Sequence, residues 1–386
     1  MKISFLLPCY RWRPSGGFKV VYEYANRLVA RGHEVGLVHP RQLKFPPPEK
    51  LTLRKRARRA RLWVQEHLSK PSIYWHPMDS RVRVLYVPTS DERFIPDGDV
   101  LFATAWHTVP SVLECPVTKG SKCYLIQAYE TFQGPKDLVD RSWRAPLHKV
   151  VVSRWLAELG KTLGAHDVTH IPIGIDHECY RLTQAIAPRR RQVVMMYSHA
   201  PLKRSADGIR ALEIAKQQFP DLQVVLFGID PRPNSIPDWM TYLQDPPRQQ
   251  LVEQVFNSSS IVLSPSLTEG FGLPPAEGAA CGCAVVSTDS GGVRDFILHG
   301  TSGLLSPPQQ PQALARNLCL LLANDDLRIR LAEAGRNSVA QLNWDRSADL
   351  LESFLDAVVR QQPFHRTLQP SAANSSQMEI PRLEMN

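Results

Sequence analysis

Two glutamates eight residues apart, Glu269 and Glu277, bracket the run Gly270-Phe271-Gly272-Leu273-Pro274-Pro275. The strand pattern Ile261–Ser264 ends just before them, the glycines turn the chain, and Pro274 opens a helix, where its fixed φ fits. The first N–H groups of such a helix can hold phosphate oxygens. Across this bend both carboxylates can face one cleft from different heights, one toward a sugar and one toward ribose hydroxyls. Two glutamates beside a loop are commonly no more than solvated side chains. Here they come with glycines, a helix start, and a further Ser290-Gly291-Gly292 after the next strand. A second loop of interest is Gly16-Gly17, which permits close backbone approach to a ligand with helix N–H groups behind it. Its plainer reading is a tight turn.

These loops need strands and helices to position them. Lys2 to Leu7 is a short apolar run, and after Ser15-Gly16-Gly17 the residues Val21, Tyr24, Ala25, Leu28 and Val29 recur at helical spacing until Gly32. Glu34–Val38 is the next strand, and apolar runs at 82–87, 100–105, 124–127 and 150–153 extend a largely parallel sheet. A second series of strands, at 193–197, 224–227, 261–264 and 284–287, alternates with helical patterns at 205–219, 274–281 and 311–322. The polar, basic stretch Ala185–Arg191 between the two series reads as a linker. Leu350, Leu351, Phe354, Leu355, Val358 and Val359 form an amphipathic last helix. The predicted organisation is a first domain at 1–180 with an insertion at 41–70, a second at 181–345, a crossover helix at 346–360 and a disordered tail at 361–386.

The 386 residues suit two α/β domains. With 43% hydrophobic and 22% charged residues the chain is neither fibrous nor wholly disordered. The loops argue against a dehydrogenase: a dinucleotide fingerprint needs G-x-G-x-x-G and an acidic residue ending the second strand, whereas this chain has Gly16-Gly17 and Val38-His39-Pro40. Seven scattered cysteines in a chain this large suggest a reducing compartment, and Cys281 and Cys283 read as core packing rather than metal ligands. The short apolar start and the absence of any long apolar window predict a cytoplasmic protein.

The stretch from Glu269 to Glu277, with Ala284–Asp295 and Gly300-Thr301-Ser302-Gly303-Leu304-Leu305 behind it, resembles family 4 of the retaining glycosyltransferases, whose signature is E-x7-E. Arg31-Gly32-His33-Glu34-Val35 and Ile171-Pro172-Ile173-Gly174-Ile175-Asp176 resemble further segments of that family. The likeness covers roughly 1–40 and 95–345, and the N-terminal segment with Tyr22-Glu23-Tyr24-Ala25-Asn26 is similar to a rhamnosyltransferase-like branch. The resemblance implies a GT-B fold: two Rossmann-like parallel-sheet domains facing across a cleft, the last helix returning to the first domain. It also implies roles. Glu269 would contact the transferred sugar, with Gly270, Phe271, Gly272 and Leu273 offering backbone to the donor. Glu277 would hold the ribose, Lys203 would neutralise the diphosphate where charge develops, His107 would stand near the sugar, and Gly16 and Gly17 would approach the donor. Many relatives carry an arginine upstream of the lysine that this chain lacks, so either Arg204 or His199 would replace its charge or the diphosphate would be held differently. The donor would be a nucleotide diphosphate sugar, used with retention and without a metal or other cofactor. The acceptor would be a glycan or a lipid-linked glycan in cell-surface polysaccharide synthesis, with Gln127, Tyr129 and Glu130 as candidate contacts.

Other readings stay open at this level. Another GT-B activity, such as a phosphorylase or epimerase, would use the same loops, and a glycosidase also pairs carboxylates. Asp97-Gly98-Asp99 has the form of a metal-binding D-x-D but sits where an Asp-Gly turn belongs, so no metal is assigned to it. The formal net charge of +9 is concentrated: residues 41–70 hold ten Lys and Arg against two Glu. That segment, with Leu62, Trp63 and Val64 beside its arginines, could meet an anionic membrane surface at the inner face or be solvated surface. Nucleic-acid binding is the weaker reading, since no nucleic-acid fold surrounds it.

Overall fold

Ile3, Phe5 and Leu6 are buried because β1 (Lys2–Leu6) is a central strand. It pairs in parallel with β2 (Glu34–Gln42), Phe5 opposite Leu37, and with β4 (Val100–Ala103), Phe5 opposite Phe102. Strands covered on both faces lose the polar alternation of a half-exposed sheet, which is why these segments are continuous apolar runs. The computed structural model, which describes residues 1–45 and 73–360, contains two such sheets. The first runs β3-β2-β1-β4-β5-β6-β7, adding β3 (Arg83–Thr89), β5 (Ser121–Ile126), β6 (His148–Val151) and β7 (Val168–His170). The second runs β10-β9-β8-β11-β12-β13, from β8 (Gln192–Met196), β9 (Gln223–Gly228), β10 (Thr241–Gln244), β11 (Ile261–Ser264), β12 (Ala284–Thr288) and β13 (Leu304–Ser306). Every pairing in both is parallel.

In each sheet the strand order reverses at one place, between β1 and β4 in the first and between β8 and β11 in the second. Ligands of doubly wound sheets bind outside the carboxyl ends of the strands at such switch points. Four of the candidate loops lie there, and the loop after β5 lies beside them at the same edge of the first sheet. Gly16 follows β1 and starts α1 (Gly16–Ala30), which Arg31 and Gly32 stop, the glycine at φ 87°. His107 follows β4 and precedes α2 (Val109–Glu114). Gln127 to Glu130 follow β5 and lead to α3 (Lys136–Arg144), and α4 (Arg154–Thr162) follows β6. Lys203 follows β8 and precedes α5 (Ser205–Gln218), while Glu269 follows β11 and precedes α6 (Leu273–Ala280).

After α7 (Pro311–Ala323) and α8 (Asp325–Ala340) in the second domain, α9 (Trp344–Val359) crosses back to α1. Arg31 meets Asp349 at 2.7 Å, His33 Nε2 meets Glu352 at 2.8 Å, and the Trp344 ring stands edge-on to Tyr24. Asn343 caps α9, its side-chain oxygen accepting from the Asp345 N–H at 2.7 Å. The returning helix thus begins two residues before the expected 346.

Two expectations need correction. Ala185–Arg191 is pinned rather than loose: Ile186 is buried in the second core, and the Arg189 guanidinium donates to the carbonyls of Gln184, Ser259 and Cys281 at 2.9, 2.9 and 2.7 Å. β7, β10 and β13, absent from the sequence reading, are present. Of the basic segment 41–70, residues 46–70 lie outside the described residues, as does the tail 361–386. Arg41 continues β2, and Lys44 pairs with Glu114 at 2.6 Å. Among the described residues no helix is long and apolar enough to cross a membrane. Cys281 and Cys283 are buried, and the Cys283 thiol donates to the Phe256 carbonyl at 3.1 Å.

Candidate active site

The loop after β11 is held by its neighbour. Glu269 N–H donates to Ser290 O at 2.8 Å and Gly292 N–H to Glu269 O at 3.2 Å, so the strand-end loops of β11 and β12 are stitched together. A Cβ on Gly292 would lie 2.4 Å from Gly270 O, which is why Gly291-Gly292 recurs one strand later. Held this way, the Glu269 carboxylate accepts from Lys203 Nζ at 2.6 Å and from Ser266 Oγ at 2.7 Å. Both side chains are mostly enclosed but retain an exposed face. Lys203 ends a short 3-10 turn, and Arg204 then adopts a left-handed conformation (φ 48°) before α5 begins.

Glu277, on the first turns of α6, makes a contact that crosses the cleft. Its Oε1 accepts from Lys19 Nζ of α1 at 2.7 Å, and the same ammonium lies 5.0 Å from the centre of the Tyr180 ring. The sequence reading did not include Lys19. Helical spacing places it one turn after Gly16, but its partner is 258 residues away and only the fold reveals it. The two domains touch at further points. Trp155 Nε1 donates to Gly270 O at 3.1 Å, Arg13 pairs with Asp230 at 2.9 Å, and Asp295 accepts from the Arg154 N–H at the start of α4. Gly270 abuts the Gln127 carbonyl so closely that a Cβ there would lie 1.6 Å from it.

The remaining candidates divide. Gly16 faces the Leu273 side chain, and Gly17 O accepts from Gln127 Nε2 at 3.0 Å. Gln127 therefore ties the loop after β5 to the Gly16-Gly17 loop within the first domain, while its carbonyl abuts Gly270 of the second. The Tyr129 hydroxyl donates to Asp140 at 2.7 Å, and Glu130 Oε2 accepts from the Trp106 N–H at 2.7 Å, so both side chains face their own domain. Burial pushes the Glu130 carboxyl up to about 7. That carboxyl anchors the short turn Trp106–Thr108 that carries His107. Burial also lowers His107 to about 4, keeping the imidazole neutral at neutral pH, and its Nδ1 has no hydrogen-bond partner among the described residues.

Two expectations about phosphate binding are altered. Pro274 and Pro275 both lack an N–H, and the Ala276 N–H is bonded to Gly272 O at 3.3 Å, so α6 offers fewer free donors than an ordinary helix start. Arg204 is held bidentately by Asp207 at 2.8 and 3.0 Å, while His199 is exposed and edge-on to Tyr197. Asp97-Gly98-Asp99 lies at the amino end of β4, away from the cleft. Asp97 pairs with Lys119 at 2.8 Å and Asp99 accepts from the Lys2 N–H at 2.7 Å, which makes it a structural turn.

Two doubly wound parallel sheets with their switch points turned toward each other, and a last helix returning to the first, constitute the GT-B fold. Residues 181–338 match the sequence profile described as "Glycosyl transferases group 1". The chain is 28% identical over 296 residues to a D-inositol 3-phosphate glycosyltransferase of Thermobispora bispora, covering 70% of this chain and 67% of that one. The enzyme of the same name from Corynebacterium urealyticum is 38% identical over 110 residues, 28% of this chain and 26% of that one. The match thus spans about a quarter of the latter's length. The structure of Anabaena Alr3699/HepE in complex with UDP-glucose superposes with a TM-score of 0.67 at 16% identity, covering 92% of this chain and all of that one.

Proposed function

We propose that this chain is a glycosyltransferase that moves a sugar from a nucleotide diphosphate sugar to a hydroxyl of a glycan or lipid-linked acceptor. The observation that carries the reading is the Lys203–Glu269 pair, 2.6 Å apart at the switch point of the second sheet, beside the Gly270 that abuts the first domain. The group 1 profile over 181–338 and the glycosyltransferase relatives support it, as does a neighbour of the same fold that holds UDP-glucose. Of the E-x7-E glutamates, Glu269 meets the sugar and Glu277 the ribose.

In the reaction the bond between the anomeric carbon and the β-phosphate oxygen breaks while the acceptor oxygen bonds to that carbon. With retention, as in family 4 enzymes, the acceptor approaches on the face the phosphate leaves, and its proton passes to the departing phosphate oxygen. Lys203 stabilises the charge that develops there, and its partial enclosure strengthens the interaction. Neutral His107 stands as a hydrogen-bonding group toward the sugar. We place the reaction in cell-surface polysaccharide synthesis at the cytoplasmic side of a membrane, with segment 41–70 as the docking element.

The test is hydrolysis and transfer measured across UDP, GDP and dTDP sugars, with Glu269→Ala alongside wild type. Wild type should consume one donor class, and the variant should lose at least about a hundredfold in turnover while keeping its melting temperature. Full turnover by the variant would refute the assignment. Turnover that requires inorganic phosphate as the acceptor would instead make the enzyme a phosphorylase.

A further inference from the structure

The two carboxylates of the cleft are each matched by one lysine, but the two pairs differ in kind. Glu269 and Lys203 belong to the same domain. Glu277 and Lys19 belong to opposite domains, and with side-chain exposures of 10% and 13% they form the more enclosed pair. An enclosed ion pair is a poor permanent brace, because desolvation offsets much of its attraction. It is a good exchangeable one, since each member can take a substrate group in place of the other.

The charge balance of the cleft shows what the exchange would serve. A departing nucleoside diphosphate needs more than one positive group, and Lys203 already faces a carboxylate. The start of α6 gives little help with Pro274 and Pro275 in its first turn. Arg204 is clamped by Asp207, and Arg248 lies 3.7 Å from Asp176. Lys19 stands on the first turns of α1, directly behind Gly16-Gly17, and already reaches the second domain with its flexible stem.

Resting on the nucleotide-sugar reading above, we propose that Lys19 is the second cation for the diphosphate, released when the ribose hydroxyls take Glu277. In the empty enzyme the pair keeps both charges satisfied. When the donor enters, the ribose donates to Glu277 and the freed ammonium turns to the phosphates. The first domain thereby contributes a charged group to donor binding, and the cleft can hold the diphosphate firmly only when closed.

Calorimetric titration of UDP and uridine, and of GDP and guanosine, into wild type, Lys19→Met and Lys19→Arg tests this. Lys19→Met should weaken the diphosphate by about tenfold or more, while the nucleoside binds as well or better because Glu277 is no longer occupied. Lys19→Arg should recover most of the loss. The ratio of the two affinities within one variant does not depend on how much of that variant is folded. If Lys19→Met changes nucleoside and diphosphate by the same factor, Lys19 is a latch on Glu277 alone and the proposal is overturned. If wild type binds none of the four compounds and not dTDP either, the nucleotide-sugar reading itself fails.

Discussion

Gly270→Ala adds one methyl group at the closest approach of the two domains. The glycine is not required by its own backbone, whose φ lies outside the left-handed region. It is required by the Gln127 carbonyl, 1.6 Å from where the Cβ would sit, with the Gln127 carbonyl carbon at 2.7 Å. Ordinary contact begins near 3.4 Å, so the two backbones must part by about 1.8 Å. The loop cannot retreat alone, because Glu269 and Gly292 stitch it to the β12 loop. The domains must open instead. A rigid parting of that size carries the Lys19–Glu277 contact from 2.7 Å to as much as about 4.5 Å, beyond hydrogen-bonding distance. It also draws the Trp155 indole away from Gly270 O. The second sheet keeps its own cluster around Leu212, Leu263 and Leu318 on one face, but its other face joins the first domain's cluster through Val262, Phe271 and Ala276, so the melting temperature should fall modestly. Misplacement of about 1 Å at a reacting centre can cost a hundredfold in rate, and donor turnover in the variant should fall by at least that much. Solution scattering should show a larger radius of gyration. Turnover within about threefold of wild type, at an unchanged radius, would refute the reasoning.

Two further predictions concern pH. Burial lowers His39, His76 and His107 each to about 4, so the folded state holds them neutral while the unfolded chain protonates them near 6.5. Their contribution to stability is complete above 6.5 and is lost as pH falls from there through 4. The slope approaches roughly 4 kcal/mol per pH unit near the middle of that window; chemical denaturation at stepped pH should show it, and constant stability from pH 7 to 4.5 would contradict the burial argument. Glu130 has the opposite sign. Its carboxyl is raised from 4.5 to about 7, so the folded state is at no disadvantage below 4.5 and loses stability as pH rises through 7. Glu130→Gln keeps an acceptor for the Trp106 N–H and should melt higher than wild type above pH 7, by an amount that vanishes below 4.5; a difference independent of pH would count against it.

The sequence revealed the two domains because their inner strands are buried on both faces and read as unbroken apolar runs. β7, β10 and β13 escaped for the complementary reason. They are the outer strands of their sheets, three or four residues long; Thr169, His170, Thr241 and Gln244 interrupt the apolar pattern of β7 and β10, and β13 has only Leu304 and Leu305 to mark it. The Glu269 and Glu277 loop was legible because local chemistry, two glycines and a proline, marks it. Lys203 and His107 needed the family likeness. Lys19, Trp155 and Asp295 were illegible because their partners lie on the other domain, and nothing within a window of sequence distinguishes a lysine that crosses a cleft from one that meets water.

The return of α9 to α1 has a consequence for how the chain is made. Arg31 and His33 are translated 318 and 319 residues before Asp349 and Glu352, which cover them, and Tyr24 likewise well before Trp344. Throughout synthesis the first domain must therefore stand with one side of α1 bare, while the second domain is built and folds. The contact that covers α1 is made only after the second domain has been translated.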